Sequence, residues 1–209
     1  MNDTIIYLIR HAETVDEEGI RNTSEDFQMI NEKEILSVQG EEQSKKLSEN
    51  IELQNLDVIW TSNYTRAKAT AKYIAYKNKL QYNLDKRLNE RKLGNIEDLA
   101  KFMNNKETRD PSREQLAFPE FKTRDGESAN DTNKRMNEFF SEILEKYKGK
   151  RIATISHGGA IKFYLLSYCT VNERLNLEYK GNELAINSPC LLKMTFRKNE
   201  LLSLEQIKS

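Results

Sequence analysis

Histidine occurs twice in the 209 residues, as His11 and His157, and each copy follows an apolar run and opens a polar or glycine stretch. Ile5 to Ile9 precedes Arg10-His11-Ala12-Glu13-Thr14, and Ile152 to Ile155 precedes Ser156-His157-Gly158-Gly159. Imidazole titrates near neutrality and serves as nucleophile, base or metal ligand. Two imidazoles placed just after candidate strands point to one site in a chain that does chemistry. The C-terminal ends of strands in an open α/β sheet converge on one crevice, which brings Arg10-His11, Ser62 and Ser156-His157 together despite their separation in sequence. A helix starting at Gly158-Gly159 aims its positive end at the same place. Arg66, one turn into the helix after Ser62, reaches back with a guanidinium that forks onto two oxygens of a phosphate, and Arg10 does likewise from the other side. Taken singly, each of these residues reads equally well as a satisfied core or salt-bridged group; together they describe an anion site. A metal centre built from His11, His157, Glu13 and Glu90 is the other option, but none of the HxH, HExxH or DxH spacings is present, so no metal is expected.

The elements that must position these groups follow from hydrophobic periodicity. Residues 4–10, 57–61 and 151–156 read as strands, and 80–84 alternates as a further one. Ser37 caps a helix running through Gln43, Leu47 and Ile51, and a second helix covers residues 64–78. Ser128 with Asp131 three positions on marks another start, with Met136, Phe139, Phe140, Ile143, Leu144 and Tyr147 as its apolar stripe and Gly149 as its end. A helix from Gly159 to about Cys169 follows, and the tail from Cys190 to Ile207 reads as two strands around Arg197 to Glu200. Strands alternating with helices give a mainly parallel sheet covered on both faces, with an antiparallel edge near the C-terminus. Residues 15–35 and 95–125 fit no regular element; segments this long are read as substrate-covering, with Phe27, Met29, Phe118 and Phe121 as apolar anchors.

Composition narrows the function classes. Lys plus Arg equals Asp plus Glu at 33 each, which argues against nucleic acid or an acidic membrane as partner. The chain has no linker, repeat or low-complexity tract, so residues 1–209 are read as one domain. Cys169 and Cys190 show neither CxxC spacing nor a nearby histidine, which suits the reducing cytoplasm. No apolar run approaches the roughly 20 residues that span a membrane, and no basic leader precedes the first strand.

Arg10-His11-Ala12-Glu13-Thr14 resembles the motif that names the histidine phosphatase superfamily, the clan that includes cofactor-dependent phosphoglycerate mutase, with Ala12 where glycine is usual. Further matches occur in order: Leu36-Ser37 with Gly40 and Gln43, Thr61-Ser62 with Arg66-Ala67 and Thr70-Ala71, Leu88-Asn89-Glu90, Gly126-Glu127-Ser128, Ser156-His157-Gly158-Gly159, and Asn187-Ser188. The resemblance implies a three-layer α/β/α sandwich of the phosphoglycerate mutase type and a covalent mechanism without metal or cofactor. His11 would attack phosphorus in line and form a phosphohistidine that water discharges. Neighbouring Arg10 and Arg66 favour the neutral imidazole that attack requires. By the same resemblance, Arg10, Arg66 and His157 would hold the phosphoryl oxygens, and Glu90 would protonate the leaving oxygen and later take a proton from water. Ser62 would position the phosphate or Arg66, Gly158 would complete the substrate contacts, and Glu13 and Thr14 would mainly orient the nucleophile loop. Gly126-Glu127-Ser128 reads either as a contact or as a helix start with a buried polar network.

Mutases of this clan continue the first motif with Trp-Asn and follow the catalytic glutamate with His-Tyr-Gly. Here the corresponding residues are Asp16-Glu17 and Arg91-Lys92-Leu93-Gly94, which disfavours the mutase. The expected activity is therefore hydrolysis of a small phosphorylated metabolite; a mutase and a non-catalytic phospho-ligand module of the same fold are the alternatives. Arg109, Arg113, Lys122 and Arg124 either grasp a second acidic group of the substrate or solubilise a surface loop. The sequence sets no oligomeric state.

Overall fold

The first strand, β1 (Thr4–Arg10), sends Ile6 and Leu8 to one face and Tyr7 and Ile9 to the other, all fully buried. A strand apolar on both faces belongs inside a sheet covered on both sides. The computed structural model describes residues 3–15, 27–95 and 115–208 and places β1 there. β2 (Val58–Thr61), β3 (Tyr82–Leu84) and β4 (Arg151–Ser156) run parallel with β1, in the order β3-β2-β4-β1. In the register, Arg10 lies level with Ser156, and Thr61 with Ile155, so the strands end together at one edge.

Four helices in the described residues clothe the sheet. The face of Tyr7, Ile9, Ala153 and Ile155 is covered by α2 (Val38–Ser48), through Leu47, and by α3 (Thr65–Asn78), through Ala67, Ala71 and Ile74. The other face, with Ile6, Leu8 and Ile152, is covered by α4 (Ala129–Lys146) and α5 (Gly158–Leu165). The capping box expected at Ser128 is present, with Ser128 and Asp131 bonded reciprocally. Ser37 caps α2 by accepting the Gly40 N–H. This mixed α/β architecture and its antiparallel edge agree with the sequence reading.

Several boundaries differ from it. The stretch 15–35 is not irregular throughout, because α1 (Phe27–Lys33) lies within it; seven residues without a marked cap carry too little periodicity to register. The α2 helix stops at Ser48, where Asn50 caps a separate 3-10 turn, Ile51–Leu53. The last helix ends at Leu165, short of Cys169, and a small antiparallel sheet follows: β5 (Thr170–Val171), β6 (Leu177–Tyr179) and β7 (Asn182–Leu184). The final pair, β8 (Cys190–Arg197) and β9 (Glu200–Ile207), forms the antiparallel edge beside β1. The proposed apolar anchors fail where they are described: Met29 and Phe118 are exposed and Phe121 borders on it, while Ile30 and Leu116 are buried instead. The Phe27 side chain and residues 96–114, with Arg109 and Arg113, lie outside the described residues, as do Asp16 and Glu17.

The packing of α2 on the loop after β1 is tight at Gly40, where a Cβ would come within 1.9 Å of the Glu13 carbonyl oxygen. Gly40→Ala is therefore expected to cost about 3 kcal/mol or more, since backbone must move, against about 1 kcal/mol for loss of the cap in Ser37→Ala. Urea unfolding of the two variants checks this; a smaller loss at Gly40 would mean that α2 is not seated on the loop.

Candidate active site

The loop that leaves β1 is fastened on several sides. The His11 N–H donates to the Ser156 carbonyl at 3.1 Å, the Ala12 N–H to Thr70 Oγ1 of α3 at 3.1 Å, and the Glu13 N–H to Gln43 Oε1 of α2 at 3.1 Å. Ser188, just before β8, donates its hydroxyl to the His11 carbonyl at 2.6 Å. With its backbone held this way, the His11 side chain has a defined tautomer. Nδ1 lies 2.7 Å from the Ala12 carbonyl oxygen, which can only accept, so Nδ1 carries the proton. Nε2 receives the Arg66 Nε–H at 3.1 Å, so Nε2 carries the lone pair. Burial, then Arg66, then Arg10 hold the His11 imidazole well below the usual histidine range, although the bond to Ala12 opposes them. The ring is neutral at pH 7, with Nε2 bare of its own proton.

Arg66, near the start of α3, is held by α1 and its exit. One terminal nitrogen donates to the Asn31 carbonyl and lies 3.0 Å from Glu34 Oε2; the other donates to Asn31 Oδ1 at 3.0 Å. Its guanidinium carbon stands 5.2 Å from the centre of the Tyr64 ring. Arg10 donates to the Ile186 carbonyl at 2.6 Å and packs on the start of α5, where a Cβ on Gly158 would sit 3.0 Å from the guanidinium carbon. Glycine there lets Arg10 approach the helix terminus.

Glu90 lies at that same terminus. Its Oε1 accepts N–H groups from Arg91 at 2.9 Å and Ala160 at 2.8 Å, and Oε2 accepts the Gly159 N–H at 3.0 Å. The positive end of α5 thus holds a carboxylate of the protein itself.

His157 is fully buried behind His11, with ring centroids 5.1 Å apart. Its tautomer follows from a chain of bonds. Asn89 Oδ1 accepts the Asn63 N–H and the Ser62 hydroxyl, each at 2.9 Å. The Ser62 oxygen also accepts the Tyr64 N–H at 3.1 Å and so receives a proton from His157 Nε2 at 2.7 Å. Nδ1 then bears the lone pair and has no hydrogen-bond partner among the described residues. Burial, with Arg66 next in weight, holds this ring too well below the usual range.

A cavity of about 340 Å³ opens at this edge of the sheet. Of the residues singled out in the sequence, Arg10, His11, Thr14, Arg66, Glu90 and Gly158 line it. Glu13, Ser62 and His157 do not. The Glu13 carboxylate accepts the Ser37 hydroxyl at 2.8 Å, which ties the loop after β1 to the α2 cap. Ser62 is buried and serves His157 and Asn89, not Arg66 or a ligand. Gly126-Glu127-Ser128 is the helix start with a polar network: Arg135 bridges Glu127 at 2.8 Å and Ser128 caps α4. Lys122 pairs with Asp131 at 2.8 Å, and neither it nor Arg124 lines the cavity.

Asn31, Glu34, Arg91 and Lys162 also line the cavity and did not stand out in the sequence as site residues. Lys162 carried a usable signal, since it falls one helical turn after Gly158; Asn31 and Glu34 carried none, because α1 itself was not legible. Among the described residues no group of three or more His, Cys, Asp or Glu side chains is placed to hold a metal ion, and no helix is long and apolar enough to cross a membrane.

Comparison with known proteins gives a match to the model of the histidine phosphatase superfamily (branch 1) over residues 6–198. The chain is 30% identical over 130 residues to phosphoglycerate mutase-like protein 4 of Arabidopsis thaliana, covering 59% of this chain and only 55% of that one. It is 28% identical over 157 residues to the probable phosphoglycerate mutase GpmB of Yersinia enterocolitica, covering 75% and 70%. Among solved structures, a mycobacterial glucosyl-3-phosphoglycerate phosphatase superposes with a TM-score of 0.71 at 17% identity, covering 98% of this chain and 97% of that one. A phosphoglycerate mutase from Bacillus anthracis gives 0.67 at 14% identity, covering 99% and 93%.

Two imidazoles held neutral couple stability to pH. The unfolded chain protonates both near pH 6.5 while the folded chain does not, so unfolding takes up protons as pH falls below that value. Stability is expected to be full above about pH 7 and to decline below 6.5 by about 1.4 kcal/mol per pH unit for each ring, until the folded rings titrate. Urea midpoints between pH 7.5 and 5, compared with those of His157→Asn, check this; an equal slope in the variant would remove His157 from the account.

Proposed function

The chain belongs to the histidine phosphatase superfamily, and from that premise we propose that it is a metal-independent phosphomonoester hydrolase acting through a phosphohistidine at His11 on a small phosphorylated metabolite. The observation that carries the reading is the His11 tautomer, with Nδ1–H fixed on the Ala12 carbonyl and the Nε2 lone pair at a cavity lined by Arg10 and Arg66. A phosphate dianion entering there draws Arg66 Nε–H away from Nε2 and the guanidinium fork away from Glu34 and Asn31. This frees the nucleophile and places two guanidinium groups on the phosphoryl oxygens. His157, buried and outside the cavity lining, stands against the His11 ring with centroids 5.1 Å apart and supports the nucleophile from behind.

Attack by Nε2 forms the N–P bond as the ester O–P bond breaks, and the leaving oxygen takes a proton that Glu90 acquires from solvent as the dianion enters beside it. Oε2 of Glu90 accepts one backbone N–H where Oε1 accepts two, which leaves Oε2 the freer position for that proton. Water then attacks phosphorus, Glu90 takes its proton, and His11 leaves as the neutral imidazole. Hydrolysis is preferred to mutase action because Arg91-Lys92-Leu93-Gly94 replaces the mutase run after the glutamate.

Hydrolysis of p-nitrophenyl phosphate in EDTA tests the reading. The parent is expected to turn over and His11→Ala to lose roughly a thousandfold or more; a parent without turnover, or a variant at the parent's rate, overturns it. No interconversion of 2- and 3-phosphoglycerate is expected, with or without 2,3-bisphosphoglycerate. Because Glu34 competes with phosphate for Arg66, Glu34→Gln is expected to strengthen competitive inhibition by inorganic phosphate roughly tenfold. An unchanged inhibition constant would show that Arg66 keeps its grip on Glu34 when phosphate binds.

A further inference from the structure

We propose that Arg135 and Glu127 are a positioning pair for Glu90, the group that hands a proton to the leaving oxygen, and that they act by holding the chain on either side of it. This deepens the hydrolase reading and rests on it. The need for such a device comes from where Glu90 lies. It follows the 3-10 turn Lys86–Leu88 and belongs to no helix or strand, so no ladder of backbone hydrogen bonds fixes the path of its main chain. A proton donor must meet the departing oxygen within hydrogen-bond reach, and a displacement of about 1 Å costs on the order of a hundredfold in rate.

One guanidinium spans that segment. A terminal nitrogen of Arg135 donates to the Arg87 carbonyl at 2.6 Å, ahead of Glu90. Nε and the other terminal nitrogen donate to the two carboxylate oxygens of Glu127 at 2.8 and 3.0 Å. Glu127 accepts the Lys92 N–H on Oε2 at 2.9 Å and returns its own N–H to the Lys92 carbonyl at 2.9 Å, just beyond Glu90. Gly126 permits this approach, since a Cβ there would stand 3.1 Å from the Leu93 carbonyl oxygen and 3.2 Å from that of Lys92. Glu90 is thus bracketed by a planar fork whose N–H directions are fixed relative to one another. Burial opposes ionisation of Glu127, and the bonds and charge of Arg135 outweigh it, holding the carboxyl below its usual range. A well-packed apolar pair would serve stability as well as a half-buried ion pair does. It could not supply directed bonds to Arg87 and Lys92. Neither Arg135 nor Glu127 lines the cavity, so the pair acts through Glu90 and not on the substrate.

The test compares kcat/KM, which covers the steps up to release of the alcohol, for p-nitrophenyl phosphate and benzyl phosphate. The nitrophenolate leaves without a proton, whereas the benzyl alkoxide needs one. Arg135→Met is expected to lower the benzyl phosphate value roughly thirtyfold or more and the p-nitrophenyl phosphate value by less than about threefold. In a Glu90→Gln background the same substitution is expected to change benzyl phosphate hydrolysis by less than about threefold, because the donor it positions is gone. Equal effects on the two esters, or a full loss repeated in Glu90→Gln, overturn this inference and leave the hydrolase standing. Activity of the parent on p-nitrophenyl phosphate alone also overturns it, since no proton donor is then at work. Glu127→Leu combined with Arg135→Met removes both charges together and carries the comparison if the single variant unfolds. Loss of the cooperative urea transition in both variants assigns the pair to the stability of the domain and overturns the inference. A parent that hydrolyses neither ester overturns both readings.

Discussion

A buried imidazole that receives a hydrogen bond from a guanidinium cannot also be protonated at that nitrogen, and the site is arranged around this constraint at His11. Ala12 takes the proton on Nδ1, and Arg66 faces the lone pair on Nε2. Each partner is itself fixed: the Ala12 N–H by Thr70 and the Arg66 guanidinium by Asn31 and Glu34. The sheet supplies the frame. β1 and β4 are level at Arg10 and Ser156, so two loops with histidine emerge side by side at one edge.

The second histidine is governed by the same rule with the ring reversed. Ser62 and Asn89 form a relay of defined direction that puts the His157 proton on Nε2 and leaves Nδ1 bare. The two rings are thus both neutral, and they present opposite faces of their chemistry: one a lone pair already covered by a donor, the other a lone pair without one among the described residues. Glu90 shows why the glycines that follow are required. Its carboxylate lies on the backbone N–H groups of Gly159 and Ala160, and a side chain at Gly159 would come 2.7 Å from its Oε1.

Much of this was legible in the sequence because it rests on short-range rules. Alternation marked β1 and β4, the serines marked two helix starts, and the ordered motifs gathered Arg10, His11, Arg66 and Glu90 to one cavity. What was not legible depends on tertiary placement. The α1 helix is too short for its period to show, so Asn31 and Glu34 could not be seen facing Arg66. Ser62 was read as a phosphate or Arg66 contact because spacing places it at a strand end, whereas burial turns it toward His157. The aromatic residues Phe118 and Phe121 were read as anchors from hydrophobicity alone, and hydrophobic residues are common on surfaces. The charge of Lys122 leaves two readings open, a substrate contact or a solvated surface loop, and its pairing with Asp131 at the start of α4 fits the second.

Ser188 and Ile186 fasten the loop after β1 from the far end of the described residues. The loop begins at residue 10, yet the hydroxyl on its His11 carbonyl and the carbonyl that receives Arg10 come from residues 188 and 186, immediately before the strand that pairs with β1. These contacts span 176 and 177 positions of the chain. During synthesis, when earlier segments fold first, the loop after β1 therefore stays unfastened on this side until residues 186–188 have left the ribosome.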